Sequence, residues 1–348
     1  GDSMITIFAT IFVFGLIVLI HELGHFITAK LCGMRVDEFA IGFGPKLVGF
    51  QRGETLYSIR LIPLGGFNRI AGMMEDEEGA ELDERAFLKK PLWQRFIVIS
   101  AGAIFNFLLA IVLFFGLYAS VGTQSVSPGS GIGSIVAGSP AEGAHLEAGD
   151  RIISIDNKPV SQWTDIGSNL QGTAMHAVDI TVERQGQLIT SSIIPKDENG
   201  RTVIGIMPEI IQHPMSLDQA AIHSVTDTGK TMYAMVDGLL SMIEKGDGKN
   251  LSGPVGVAQM AGQVAAVGFV PLVSFTALLS INLGVVNLFP LPVLDGGHLI
   301  LIILEGIRGK KLPAKALQYI QLAGIALLIL LFLYATTQDL GRLVGSFF

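Results

Sequence analysis

Charge is scarce in this chain: Asp, Glu, Lys and Arg make up 15% of its 348 residues, against about 25% in an ordinary soluble domain. Half of the residues are hydrophobic. The pair of values excludes a conventional water-soluble globule and points to a membrane protein. A basic excess is also missing. The net charge of -7 offers no positive patch of the kind that nucleic acid requires, so no nucleic-acid partner is expected. Cysteine is nearly absent. Cys32 alone excludes an internal disulfide and a multi-cysteine metal site, so any metal must be held by nitrogen and oxygen ligands. Finally, no small-residue cleavage site follows the first apolar run. Lys30 and Arg35 do, and the run reads as a retained span rather than a signal peptide. Gly1, Asp2 and Ser3 precede Met4 and read as the scar of a cleaved tag, so residues 1–3 are left out of the fold reasoning.

What is present in quantity is apolar runs of 18 residues or more, the length a spanning helix needs. They cover 5–29, 96–121 and 316–336, with a further run over 271–307. That run exceeds one crossing and is broken by Pro290 and Pro292, which predicts one span, a loop and a short helix. Lys and Arg near spanning segments collect on the cytoplasmic side. Ten lie in 30–95, four in 308–315, eight in the much longer 122–270, and only Arg342 follows the last span. The count places 30–95 in the cytoplasm, with both termini and the long segment outside.

The expected fold is therefore a polytopic α-helical membrane protein with about four transmembrane helices. Residues 4–121 form a first membrane half, with a β-rich cytoplasmic, membrane-associated loop over 30–95. Strands and turns should dominate 36–70, where β-branched and aromatic residues alternate with glycines, and the acidic run 75–84 should be a solvated loop. Within 122–208, a linker leads to one extracytoplasmic α+β domain. Strand-like stretches at 132–136, 151–155, 177–183 and 188–194 surround a short helix at 139–145, a pattern that resembles a PDZ domain over about 130–208. Such domains take extended peptides on a sheet edge, so a peptide ligand is expected. Residues 209–270 read as an amphipathic helix and linker, the helix lying on the membrane surface or against the domain. Residues 271–348 form the second membrane half.

The chemistry gathers in His21-Glu22-Leu23-Gly24-His25. Four residues apart on a helix, two imidazoles share one face with β-carbons about 6 Å apart, which suits two ligands on one zinc. A catalytic zinc takes three protein ligands, with a fourth position left open. Glu22 stands where it can act as general base and then general acid. A charged group deep in a bilayer costs at least about 2.5 to 3.5 kcal/mol, so this cluster needs compensation that metal binding supplies. The third ligand must come from elsewhere. Asp295 is the only acid in 271–304 and follows the proline-broken stretch, while His298 is the competing ligand. The remaining histidines, His145, His176, His213 and His223, fall in the outer segment, away from the motif.

With these residues in place, the chain resembles bacterial site-2 proteases, in particular the regulator-of-sigma-E protease group. The likeness rests on HELGH at 21–25, GFGP at 42–45, PLGGF at 63–67, Asn106, the PDZ-like domain, SGPVG at 252–256 and NLFPLPVLDGGH at 287–298. It implies an intramembrane zinc metalloprotease of the bacterial inner membrane, with His21, His25 and Asp295 on zinc and Glu22 catalytic. It also implies that Asn287, Pro290 and Pro292 shape the substrate cleft and that the strands of 36–70 clamp an extended substrate. The substrates implied are single-span regulatory membrane proteins of the anti-sigma-factor type. One departure is that relatives commonly carry two PDZ domains, whereas only one fits here. Rival readings are a membrane scaffold and an ion-coupled transporter using the polar intramembrane cluster. The hydropathy has no inverted repeat, which weighs against the transporter.

Overall fold

The computed structural model describes residues 2–73, 83–198, 201–245, 253–310 and 312–345. Most of the acidic run, residues 75–82, lies outside them. The chain divides into two compact units, one made of Gly1–Leu117 with Leu217–Phe348 and the other of Tyr118–Ser216.

The first unit is built on helices α1 (Asp2–Leu31), α2 (Leu92–Val121), α7 (Phe269–Asn287) and α9 (Ala314–Gly345). All four are long and apolar enough to cross a membrane. As expected from the two prolines, the third apolar region splits. Helix α7 stops at Asn287, and the shorter α8 (Asp295–Arg308) starts at Asp295. The amphipathic segment is a single helix, α5 (Leu217–Lys245), which packs on α7 and buries the small residues Ala220, Ser224 and Thr228. A further helix, α6 (Pro254–Val267), occupies what reads in sequence as linker. At 14 residues it is too short to signal a span. Small residues let it approach its neighbours: a Cβ on Gly262 would lie 2.1 Å from Thr6 Oγ1 of α1.

Between α1 and α2 lie two long strands, β1 (Val36–Arg52) and β2 (Thr55–Ile70), joined by a tight turn. Both bend, so that Glu38 to Ile41 find partners on two sides: Gly66 to Arg69 and Leu56 to Ile59. The inner half of β1 is buried, whereas Phe43, Leu47, Val48 and Phe50 toward its far end are exposed. Ala29, Val36, Ile70, Phe87, Val98, Ile99, Leu299 and Ile302 form one core, which fixes the end of α1 against the strands, α2 and α8. Arg95 of α2 pairs with Glu305 of α8 at 3.0 Å in the same region.

The second unit is an α+β domain. Its strands are β3 (Thr123–Val126), β4 (Ile132–Ile135), β5 (Arg151–Ile155), β6 (Lys158–Pro159), β7 (Val178–Arg184), β8 (Gln187–Ile193), β9 (Lys196–Glu198), β10 (Arg201–Val203), β11 (Ile206–Pro208) and β12 (Ile210–His213). A four-stranded sheet runs in the order β6-β5-β7-β8, with pairs β11-β4, β12-β3 and β10-β9 beside it. Helices α3 (Pro140–Gly143) and α4 (Trp163–Leu170) complete it, and alternate residues such as Ile152, Ile180 and Val182 fill the core. The four expected strands are present to within a residue or two. Ile210–His213, read from sequence as linker, pairs with Thr123–Val126 and belongs to this unit. Its four exposed residues carry no alternation of burial that a pattern could have revealed.

Candidate metal and active site

Helix α1 carries His21 and His25 one turn apart, and both are buried to 8% exposure. Their rings meet edge to face with centroids 4.8 Å apart, and their Nε2 atoms lie 3.2 Å from each other. Asp295 reaches the same point from the first turn of α8. Its Oδ2 stands 3.3 Å from His21 Nε2 and 3.4 Å from His25 Nε2. The prolines explain how: the chain cannot remain helical through 290–292, Leu294 turns extended, and α8 begins with Asp295 at its mouth. Among the described residues, these three are the one group placed to share a metal, and His298 is not part of it.

The chemistry of the donor set fits zinc. The main-chain carbonyl of Val98 can only accept, so His25 Nδ1–H donates to it at 2.8 Å, and in the neutral imidazole Nε2 is then a bare lone pair. At His21 the wholly buried Asn106 places its amide 3.2 Å from Nδ1. Asn106 Oδ1 is itself buried without a partner, so this amide can meet either tautomer of His21. Asp295 Oδ2 is likewise buried and makes no hydrogen bond. Two imidazole nitrogens and a carboxylate oxygen thus converge on one point, and with both Nε2 atoms unprotonated they form a donor set that a cation satisfies. Ligands at roughly 2.0 to 2.1 Å on a tetrahedral ion stand about 3.3 Å apart, which matches the three separations.

Space for the ion comes from α2. A Cβ on Gly102 would fall 2.3 Å from His25 Nε2 and 2.6 Å from His21 Cε1, so any side chain there would enter the centre. Sequence reasoning missed Gly102. A glycine in an apolar helix reads as a packing residue until its neighbour is known.

Glu22 faces β2 rather than the ligand group. Gly66 permits this approach, since a Cβ there would lie 3.1 Å from Glu22 Cγ. Asn68 Nδ2 then donates to Glu22 Oε2 and to the Glu22 main-chain oxygen, each at 2.7 Å. No motif marks Asn68 in the sequence. The strand bearing it is anchored by buried Glu38, to which Ser58 Oγ and Arg60 Nη2 donate at 2.6 Å each. Burial pushes the Glu38 carboxyl up, but Ser58, Arg60 and Arg69 more than offset it and hold it below its usual range. At the far turn, Arg85 and Lys30 pull the Glu54 carboxyl down to about 2.

Asn287 ends α7, half-buried, and among the described residues its amide has no hydrogen-bond partner. Pro290 is exposed. Pro292 is half-buried against Gly324 of α9, where an added Cβ would come 2.8 Å from it. His145, His176, His213 and His223 lie on the second unit and α5, outside the ligand group.

Two histidines and a carboxylate poised for one metal, beside an unligated glutamate in a bundle of membrane-length helices, define a membrane zinc metalloprotease. The chain belongs to peptidase family M50, whose family model matches residues 9–331. Over 340 residues it is 36% identical to a Clostridium acetobutylicum protein named as a zinc metalloprotease, covering 97% of this chain and 98% of that one. A chain of this length therefore recurs in the family. It is 33% identical over 420 positions to the regulator of sigma-W protease RasP of Bacillus subtilis, covering 97% of this chain and 99% of RasP. Among solved structures, the PDZ domain of an SdrC-like protein from Listeria monocytogenes aligns with 25% of this chain and 93% of its own, at 21% identity and a TM-score of 0.22.

Proposed function

We propose that this enzyme cuts single-span regulatory proteins inside or at the edge of the bilayer, with His21, His25 and Asp295 as zinc ligands and Glu22 as general base. The observation that carries the reading is the convergence of His21 Nε2, His25 Nε2 and Asp295 Oδ2 within 3.2 to 3.4 Å of one another. When bound there, zinc polarises the scissile carbonyl and makes water a nucleophile at neutral pH. Glu22 accepts the proton released by the attacking water as the new C–O bond forms, and then delivers it to the leaving amine as the C–N bond breaks. Val98 and Asn106 hold the two imidazoles in register while this happens.

The substrate class is supported by the name of RasP, a regulator of a sigma factor, and by four helices of membrane length. A substrate helix must unwind before it can be cut, and its freed backbone needs partners. The strands β1 and β2 can supply them by strand addition, and the unpaired amide of Asn287 is a further polar contact for an extended chain. The charge count supports residues 30–95 on the cytoplasmic side of the membrane with the second unit outside, and the bacterial relatives support the inner membrane as its location. That unit, PDZ-like in its sequence pattern, restricts entry of substrates that keep a large outer portion. Deleting 130–208 should then raise cutting of an untrimmed substrate, whereas reduced cutting of a trimmed one would mark recruitment through a peptide ligand.

The test is metal analysis beside turnover of a detergent-solubilised single-span substrate. Glu22→Gln should keep about one zinc per chain and lose turnover, and His21→Ala should lose both. Full turnover in Glu22→Gln, or no zinc in parent protein prepared without chelator, would overturn the assignment.

A further inference from the structure

Glu22 is the one acid of the site that no metal would orient, and what holds it is a side chain on a strand. Gly66 and Asn68 are two positions apart on β2, so they share the face turned toward α1. Gly66, lacking a side chain, lets that face close on Glu22 Cγ, and Asn68 then comes within reach of the carboxylate. Its Nδ2 carries two hydrogens and uses both: one on Glu22 Oε2, the other on the Glu22 main-chain oxygen, at 2.7 Å each. The amide can face only this way, because the reverse orientation would press Oδ1 against two acceptor oxygens. The two bonds tie the carboxylate to its own backbone through one nitrogen, which fixes the side-chain rotamer. They occupy Oε2 and leave Oε1 as the oxygen that receives a proton.

The amide also has a cost. Asn68 Oδ1 is buried and has no hydrogen-bond partner, and an unsatisfied buried acceptor costs about 1 to 3 kcal/mol. An apolar side chain of the same shape would avoid that cost and pack as well. Packing therefore gives no reason for an amide at this position, whereas a donor to Glu22 does.

We propose that Asn68 is a positioning residue for the peptidase reaction, holding Glu22 in the orientation from which Oε1 takes the proton of the attacking water. The proposal rests on the reading of Glu22 as general base. It assigns no contact with the substrate or the metal to Asn68.

The experiment compares Asn68→Ala, Asn68→Asp and Glu22→Gln in the full-length protein, each with zinc content, the visible spectrum of the cobalt-substituted form, and kcat and KM on a solubilised single-span substrate. Asn68→Ala should lower kcat about 10- to 100-fold, the usual cost of losing a supporting hydrogen bond around a metal centre. KM should stay within about twofold, with zinc and the cobalt spectrum unchanged, because ligands and substrate contacts are untouched. Asn68→Asp matches the amide in size but turns an acceptor toward Glu22, so its kcat should fall below that of Asn68→Ala. A packing role predicts the reverse order. The proposal fails if Asn68→Ala keeps kcat within about twofold of the parent, if Asn68→Asp is the more active of the two, or if both variants come out folded poorly and without zinc. Near-parent turnover in Glu22→Gln would instead remove the general base itself. Loss of turnover there with a normal Asn68→Ala would sink only the role of Asn68.

Discussion

Asp295 and Asp339 are both acids in apolar helices of the same unit, and their surroundings treat them in opposite ways. Asp339 lies in α9, 2% exposed, and both its oxygens are met: Oδ1 accepts from Gly253 N at 3.1 Å and Oδ2 from Gly256 N at 2.8 Å. It caps the start of α6, where free backbone N–H groups and the helix dipole favour negative charge. Asp295 lies at the start of α8 with Oδ2 buried among imidazole nitrogens and no hydrogen bond. One carboxylate is complete within the fold, whereas among the described residues Oδ2 of the other has no hydrogen-bond partner. A buried acid by itself is therefore no sign of chemistry. The sign is a buried acid whose neighbours cannot satisfy it.

The largest effect that could break this contrast is at Asp295. Asp295→Ala should lose most of its zinc and, with several kcal/mol of Lewis-acid stabilisation gone, at least about a thousandfold in turnover. Zinc content equal to the parent's would show that Asp295 is no ligand. Gly102→Ala comes next. Its methyl group enters the space between the histidines, and competition with a chelator should reveal zinc affinity at least about 10- to 100-fold weaker. Asp339→Asn should behave as the other half of the contrast predicts. Zinc content should be that of the parent, while stability in detergent falls by about 1 to 3 kcal/mol, read as a lower thermal midpoint. Loss of metal in that variant would erase the distinction between the two acids.

The smallest effect concerns an acid outside the spans. Glu54 is paired with Arg85 and Lys30, and its carboxyl lies at about 2, below its ordinary value. A depressed carboxyl stabilises the fold above its ordinary range, near 4.5, and that contribution is lost as pH falls toward 2. Glu54→Gln should therefore be less stable than the parent at neutral pH, by less than about 1 kcal/mol for so exposed a cluster, and the difference should close as the solution is acidified. A gap that widens in acid would show that Glu54 is not held by those cations.

Local pattern carried a large share of this molecule. His21 and His25 are four residues apart on a helix, so their shared face follows from 3.6 residues per turn. Pro290 and Pro292 end α7 whatever surrounds them. The strands at 132–135 and 151–155 announce themselves by turns and β-branched residues. By contrast, α6 is short, rich in small residues and stabilised by α1 and by Asp339, more than 80 positions away, so its own composition reads as linker.

The sequence by itself determined that the chain is a membrane protein with a zinc motif and pointed to Asp295 ahead of His298 as the third ligand, because run length, helical spacing and proline chemistry act between near neighbours. Only the tertiary structure brought Asp295, and not His298, to the two histidines, set Asp339 apart as a cap, opened the space at Gly102 and brought Asn68 to Glu22. Each of these depends on which groups meet across helices and strands far apart in the chain. Whether a buried polar atom finds a partner is a property of that meeting and of nothing nearer.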